Sequence, residues 1–400
     1  MVLGSVAFPA RISRLLLSAL HSKWTLCFAA IACAAYFAHL SVRVIEVGTQ
    51  WDFVTYYHAA RAWSSGANPY EMDALSRAFG GTLELPYVYP PPTLWFFRAF
   101  TALDYPEAAR LYLALKLLAL GALLWLWLRV FVRDAPGRLL LLVLCIHAFR
   151  RPLRVDLAAG NISIFEQLLV WGGLAYLLAG RRALFAVLIG VSACFKVVTL
   201  LLLPLVWVLR RTRDSLGYMA LGVGLFAAVT VPSVLLQPHL VAGFRGNVAA
   251  LDERGANNPA SWAFIQDLGR AIHLPRAMEV ALFGAFVVST VSLAFARARR
   301  LSPILDAPQL VSLYLLTYGL ILPRFKDYSY ALLLVPATLV LMESFRTRPL
   351  LAWGALALVV TARNEPYGSL AALAVLFVLA CLPERGDPVS VVALKQDGAA

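Results

Sequence analysis

Apolar residues recur in runs near 24–44, 105–131, 139–149, 161–179, 183–195, 197–209, 215–236, 276–296, 307–322, 330–344, 349–363 and 367–382, parted by short polar stretches and two longer segments, 45–104 and 237–275. Several runs reach the roughly 20 residues with which a helix crosses about 30 Å of hydrocarbon. None shows the ten-residue alternation of an outer-membrane barrel. The runs 139–149, 183–195 and 197–209 are short for a full crossing and predict half-helices or tilted pieces held inside protein. The pattern therefore predicts an all-α polytopic membrane domain over 1–382 with about 10–13 transmembrane helices. A polar tail, 383–400, follows it.

Composition narrows this further. The 400 residues are 61% hydrophobic and 14% charged, against about 45–50% and about 25% in soluble proteins. That excludes a soluble enzyme, a fibre and a disordered chain. The five cysteines, all in or beside apolar runs and without CxxC spacing, imply neither a disulfide framework nor a zinc site. The net charge of +13 does not form the single soluble basic face that nucleic acid requires. It reports topology instead. With the N-terminus inside, that side holds eighteen of the 35 Lys and Arg against seven carboxylates, a balance of +11 against +2 for the rest. The positive-inside rule then puts both termini in the cytoplasm of an inner (plasma) membrane and both long segments outside.

Residues 1–23 read as a basic, partly amphipathic lead-in along the inner headgroups. Small residues in Ala29–Ala38 allow a cleaved signal peptide, but the length of the first run suits a retained span.

The outer segments carry the candidate chemistry. Residues 51–63 predict an interfacial helix with Asp52 at its start, either as an N-cap or as a catalytic carboxylate. Gly66, Asn68, Pro69 and Tyr70 predict a turn, and Tyr89-Pro90-Pro91-Pro92 a stiff polyproline segment before a short helix over 93–103. Cations also lie where the positive-inside rule does not want them. These are Arg150, Arg151 and Arg154 in the outer turn after 139–149, Lys196 between two apolar pieces, and Arg324 and Lys326 after Leu322. Ionisable residues at membrane depth are costly and default to function. Lys196 either pairs with Glu166 or snorkels outward, or it converges with the other cations on a lipid phosphate. Lys116, mid-helix, has a structural partner or no readable role.

The series Asp52, Tyr56-Tyr57-x-Ala59-Ala60, Gly66, Pro69-Tyr70, then Tyr89-Pro90-Pro91, Gly160-Asn161-x-Ser163, Lys196 with Pro204, and Pro323-Arg324 with Tyr328 resembles glycosyltransferase family 87. The likeness runs from about residue 50 to 330, by the order of its motifs rather than any single one. It implies a GT-C-type bundle, a polyprenyl-phosphate sugar donor, and a glycolipid or glycan acceptor at the outer face. It also implies an acidic residue of the first outer loop, the position of Asp52, as general base. Leaving phosphate needs cations but no general acid, so Lys196 and Arg324 are expected to clamp it, with Arg154, Arg150 and Arg151 as second choices. Tyr56, Tyr57 and Tyr89 are expected to frame the pocket or to serve the headgroup belt. Asn161, Glu166 and Asp327 are candidates for sugar hydroxyls. One carboxylate suffices for inversion. No metal or other cofactor is expected, although Glu71-x-Asp73 is a carboxylate pair of the kind that metals use. The competing expectation is a transporter or flippase of lipid-linked sugars.

Overall fold

Helix ends in this chain fall where the residues dictate, with proline in the first turn of several helices, where its missing N–H has no helical partner to lose. In the computed structural model, which describes residues 22–48, 50–210, 212–302, 306–362 and 365–383, the chain runs as follows. Helix α1 is Lys23–Val47. The first outer segment folds into α2 (Trp51–Ser64), α3 (Met72–Phe79) and α4 (Thr93–Arg98). Then come α5 (Tyr105–Leu126), closed by a π turn Trp127–Phe131, and α6 (Ala135–His147). Next are α7 (Pro152–Ala159), α8 (Ser163–Leu178), α9 (Arg182–Ala193), a 3-10 turn Val197–Leu202 and α10 (Leu205–Arg210). Helix α11 (Asp214–Leu236) leads to α12 (Pro238–Ala250), α13 (Ser261–Ala271) and α14 (Arg276–Ala298). The chain ends with α15 (Ala307–Ile321), a 3-10 turn Asp327–Leu333, α16 (Leu334–Thr347), α17 (Pro349–Thr361) and α18 (Gly368–Cys381).

Among the described residues there is no strand, and each expected apolar run is helical. Among the described residues, five helical segments are long and apolar enough to cross a membrane: α1, 105–131, α11, α14 and 327–347. Seven shorter apolar helices accompany them, including the pieces expected to be half-helices. The protein is thus an all-α, multi-pass membrane protein. The expected lead-in through residue 21 and the expected tail from residue 384 onward lie outside the described residues.

Three local expectations change. Residues 89–92 are not polyproline: the N–H groups of Thr93, Leu94 and Trp95 reach the carbonyls of Pro90, Pro91 and Pro92 at 3.0, 3.1 and 3.3 Å. Pro92, at φ −57° and ψ −25°, already has helical backbone, which its ring permits. Arg154 lies on a short helix, α7, rather than in a turn. Asp52 is not the N-cap of α2, since Gln50 holds that position and Asp52 is two residues in.

The chain divides into two compact units, one of residues 1–147, 151–253 and 327–332, the other of 148–150, 254–326 and 333–400. In the first, α1 packs on α6, α5 on α8, and α9 between α8 and α11. Its outer segment folds over an aromatic core that includes Phe53, Tyr56, Tyr87, Tyr89, Phe97 and Tyr112, all buried. Phe53 stacks on Tyr112 with centroids 4.1 Å apart, a contact worth about 0.5–1.5 kcal/mol beyond its burial. This core stiffens a segment that, by length, could have been a loop. In the second unit, α15 packs against α14, α16 and α18, and α17 lies between α16 and α18. Asn258 Oδ1 accepts from the Phe325 N–H at 2.9 Å, and Ser261 Oγ donates to the Leu320 carbonyl at 2.6 Å, tying the second outer segment to the end of α15.

A candidate active site around Asp52 and Asn161

The site begins with a glycine. Helix α7 ends at Gly160, whose φ of +67° lies in the left-handed region that favours glycine. A Cβ there would fall 2.8 Å from Gln50 Cβ and 2.9 Å from Phe53 Cβ. The absent side chain therefore lets the start of α2 press against the end of α7, and Gln50 N–H closes the contact on the Ala158 carbonyl at 2.8 Å. Asn161 is the next residue and is buried. Its Oδ1 accepts from the Ser163 N–H at 3.0 Å and from Ser163 Oγ at 2.7 Å, an Asx turn that opens α8. Because a backbone N–H can only donate, the amide is oriented with Nδ2 facing α2.

Nδ2 meets three oxygens: Asp52 Oδ2 at 2.6 Å, Tyr56 OH at 3.0 Å and Tyr89 OH at 3.1 Å. Asp52 and Tyr56 share one face of α2, being four residues apart. Asp52 itself is only half-buried, whereas Tyr56 and Tyr89 are fully enclosed. Burial first, and the neighbouring tyrosine and Asp52 charge after it, push the Tyr56 hydroxyl well above its ordinary range. Burial and then Asp52 raise that of Tyr89. Both therefore stay neutral phenols beside the carboxylate. The Tyr89 backbone is held from behind by Tyr70 OH on its carbonyl at 2.6 Å, and Asn247 Nδ2 of α12 bonds the Tyr70 and Tyr87 carbonyls, each at 3.0 Å.

Lys196 stands at the break between α9 and the following 3-10 turn, in extended backbone. Its Nζ donates to Ser163 Oγ at 2.6 Å, pairs with Glu166 Oε2 at 2.5 Å and lies 5.1 Å from the centre of the Tyr328 ring. The pairing with Glu166 weighed from the sequence is thus present. It does not remove Lys196 from the site, because Ser163 links it to Asn161 and so to Asp52.

The other sequence candidates have contacts of their own. Tyr57 turns away, its hydroxyl donating to the Leu103 carbonyl at 2.8 Å. Asp327 caps its own turn, accepting from the Tyr328 N–H at 2.8 Å. Phe149, Arg150 and Arg151 are consecutive non-glycine residues at positive φ, of 46°, 64° and 64°, a strained run of a kind that clusters at functional places. Arg150 reaches the Glu365 carbonyl at 3.4 Å, Arg151 Nε is buried without a hydrogen-bond partner, and Arg154 is exposed. Arg324 is exposed in the second unit, in the turn after α15. Among the described residues no group of three or more His, Cys, Asp or Glu is placed to hold a metal ion.

Sequence reasoning gave no role to Ser163, Tyr328 or Asp156. Ser163 and Tyr328 were visible within the motif series. Asp156 is a carboxylate fully buried on a mostly apolar helix, the kind of residue that demands a partner. The partner is Lys116, at 2.5 Å.

What this arrangement can do is hold one half-exposed carboxylate in fixed orientation, beside neutral hydroxyls and one linked ammonium, in a membrane protein. No curated protein and no solved structure matches the chain. A family match does exist, over residues 87–323, more than half the chain and including Asn161, Ser163, Glu166 and Lys196, and by it the chain belongs to glycosyltransferase family 87.

Proposed function

We propose that this membrane glycosyltransferase moves a hexose or pentose from a polyprenyl-phosphate donor to a glycolipid or glycan acceptor at the outer face of the inner membrane, with Asp52 as general base. Asp52 takes the proton of the acceptor hydroxyl as its oxygen bonds to the anomeric carbon. The bond from that carbon to the phosphate oxygen breaks, and the polyprenyl phosphate leaves as an anion. Phosphate leaves without protonation, so one carboxylate is enough. Attack opposite the leaving group inverts the centre, whereas retention would need a second carboxylate at about 5 Å as nucleophile.

The observation that carries the reading is the 2.6 Å bond from Asn161 to Asp52, which orients a half-buried carboxylate that is not the N-cap of its helix. Lys196, able to exchange Glu166 for a phosphate, is the first choice to steady the leaving group. Arg324 is given the same role from its place in the motif series, with Arg154, Arg150 and Arg151 as second choices. Tyr56 and Tyr89 frame the sugar pocket, with Asn161 and Glu166 in reach of its hydroxyls; Tyr57 and Asp327 remain further candidates for the sugar or acceptor pocket. The two packing units act together as one integral membrane domain over 1–382, with both termini cytoplasmic. Family membership favours the enzyme over the transporter alternative.

The test is transfer of label from polyprenyl-phosphate hexoses and pentoses by membranes holding equal amounts of wild type or Asp52→Asn protein. Loss by about 10²–10⁴-fold in the variant is expected of a general base. Equal transfer by both would remove Asp52 from the mechanism.

A further inference from the structure

Lys116 is the one lysine of α5, in the middle of a segment long enough to cross the membrane, and it is 0% exposed. Its Nζ donates to the Asp156 carbonyl at 2.6 Å and to the Asn161 carbonyl at 2.6 Å, and it pairs with Asp156 Oδ1 at 2.5 Å. The ammonium thus grips α7 on one side of Gly160 and Asn161 on the other. Asn161 N–H returns to the Asp156 carbonyl at 3.2 Å, so the turn 156–161 is closed twice, once by the backbone and once by the lysine.

Such a pair is a poor way to stabilise a fold. Desolvating two ions costs several kcal/mol each, and apolar side chains of similar volume often serve stability as well or better. What an apolar pair could not do is donate to two carbonyls at once. Those carbonyls belong to Asn161, which bonds Asp52, and to Asp156, in the last turn of α7 before it. Chain geometry therefore converts the position of Nζ into the position of Asn161 Nδ2.

We propose that Lys116, neutralised by Asp156, is a positioning residue that sets Asp52 through Asn161; its catalytic meaning rests on Asp52 being the base. Lys116 touches no reacting group. It holds the turn whose amide donates to Asp52 Oδ2 at 2.6 Å. The groups that face Asp52 include Tyr56 on its own helix, Tyr89 before α4, Tyr112 and Lys116 on α5, and Asn161. Of these, Asn161 donates to it from the turn that the lysine holds.

The experiment uses the full chain in membranes and needs no substrate. An apolar carbodiimide modifies protonated carboxyls, so the pH of half-labelling of Asp52, read by mass spectrometry of its peptide, reports its protonation. The variants are Lys116→Met/Asp156→Asn, Lys116→Gln/Asp156→Asn and Asn161→Ala. Pairing each lysine change with Asp156→Asn leaves no uncompensated buried charge, and thermal unfolding confirms that each folds. The expected result is that Asn161→Ala raises the half-labelling pH by about one unit, the size set by losing one hydrogen bond to a charged group. The Met variant should raise it by a similar amount, and the Gln variant, whose amide still donates, by clearly less. No shift in the Met variant, no shift in Asn161→Ala, or equal shifts in Met and Gln would each overturn the inference. The transfer assay on Asp52→Asn is a separate readout: full activity there with the labelling shifts intact would sink the base and leave the positioning tie standing.

Discussion

Lys196 and Asp52 stand at the two ends of one directional hydrogen-bond chain. Lys196 Nζ donates to Ser163 Oγ, Ser163 Oγ donates to Asn161 Oδ1, and Asn161 Nδ2 donates to Asp52 Oδ2, at 2.6, 2.7 and 2.6 Å. Every donor points the same way, from ammonium to carboxylate. In a low-dielectric setting such chains polarise one another and are worth more than isolated bonds. The carboxylate is thereby held in place by the amide end of the chain.

The middle of that chain is its most exposed point to substitution. Asn161→Ala removes the donor to Asp52 and the acceptor of both Ser163 donors at once, and it leaves Tyr56 and Tyr89 without their shared donor. Transfer should fall by at least tenfold while the protein still reaches the membrane. Asn161→Asp, which replaces the donor with a second carboxylate facing Asp52, should be worse than Asn161→Ala. Transfer rates measured at equal protein amount check the order.

Lys196 is expected to act on the donor rather than on the base. Lys196→Ala combined with Glu166→Gln avoids leaving a buried carboxylate without its partner. Losing one charge-assisted contact of about 1.5–3 kcal/mol predicts a rise of about 10- to 100-fold in donor KM. The acceptor KM should change by less. Steady-state kinetics against each substrate separates the two, and equal effects on both would take Lys196 off the phosphate.

Gly160→Ala should be more damaging than its size suggests. The left-handed backbone costs about 1–2 kcal/mol for a residue with a Cβ. Overpacking against Gln50 and Phe53, with clashes of 2.8 and 2.9 Å, adds about 1–3 kcal/mol. Relief comes by pushing the start of α2, and Asp52 with it, away from Asn161. Both the unfolding temperature and transfer should therefore fall, whereas Gly66→Ala, at a similarly positive φ but with open space around it, should lower stability alone.

His58 gives the outer segment a pH dependence of stability. It is buried among Tyr57, Phe79 and Tyr105, with Nδ1 at 3.0 Å from the Ala78 carbonyl and so carrying the proton. Burial lowers its pKa below the ordinary value of 6.5, partly offset by that carbonyl and reinforced by Arg61. The unfolded chain thus takes up a proton at a pH where the fold refuses it. Stability is full above about pH 6.5 and falls as the pH drops from there through the folded pKa. Thermal unfolding from pH 8 to 5 should show this loss, and His58→Gln should flatten it.

The reach of the sequence differed between α2 and what surrounds it. Asp52 and Tyr56 lie four residues apart and so share a face, whereas Tyr57 lies about 100° further round the helix. Helical period alone therefore argues that Tyr56 and Tyr57 could not both face Asp52, and the structure has only Tyr56 there. Gly160-Asn161-x-Ser163 was readable as a motif, but the need for its glycine was not. That need comes from Gln50 and Phe53, more than a hundred residues earlier.

Sequence by itself determined the long apolar helices of this protein and so the runs able to cross or enter a membrane. A helix closes its own backbone bonds within four residues, and hydrocarbon rewards length and apolarity that can be counted along the chain. Tertiary structure alone decided which polar groups meet. Asn161 bonds Asp52 across 109 residues and Lys116 grips the Asn161 carbonyl across 45. A buried ion or amide must be satisfied by some partner, and the pattern along the chain announces that need without naming the partner. Only packing, through the missing side chain at Gly160 and the break at Lys196, brings the groups within bonding distance.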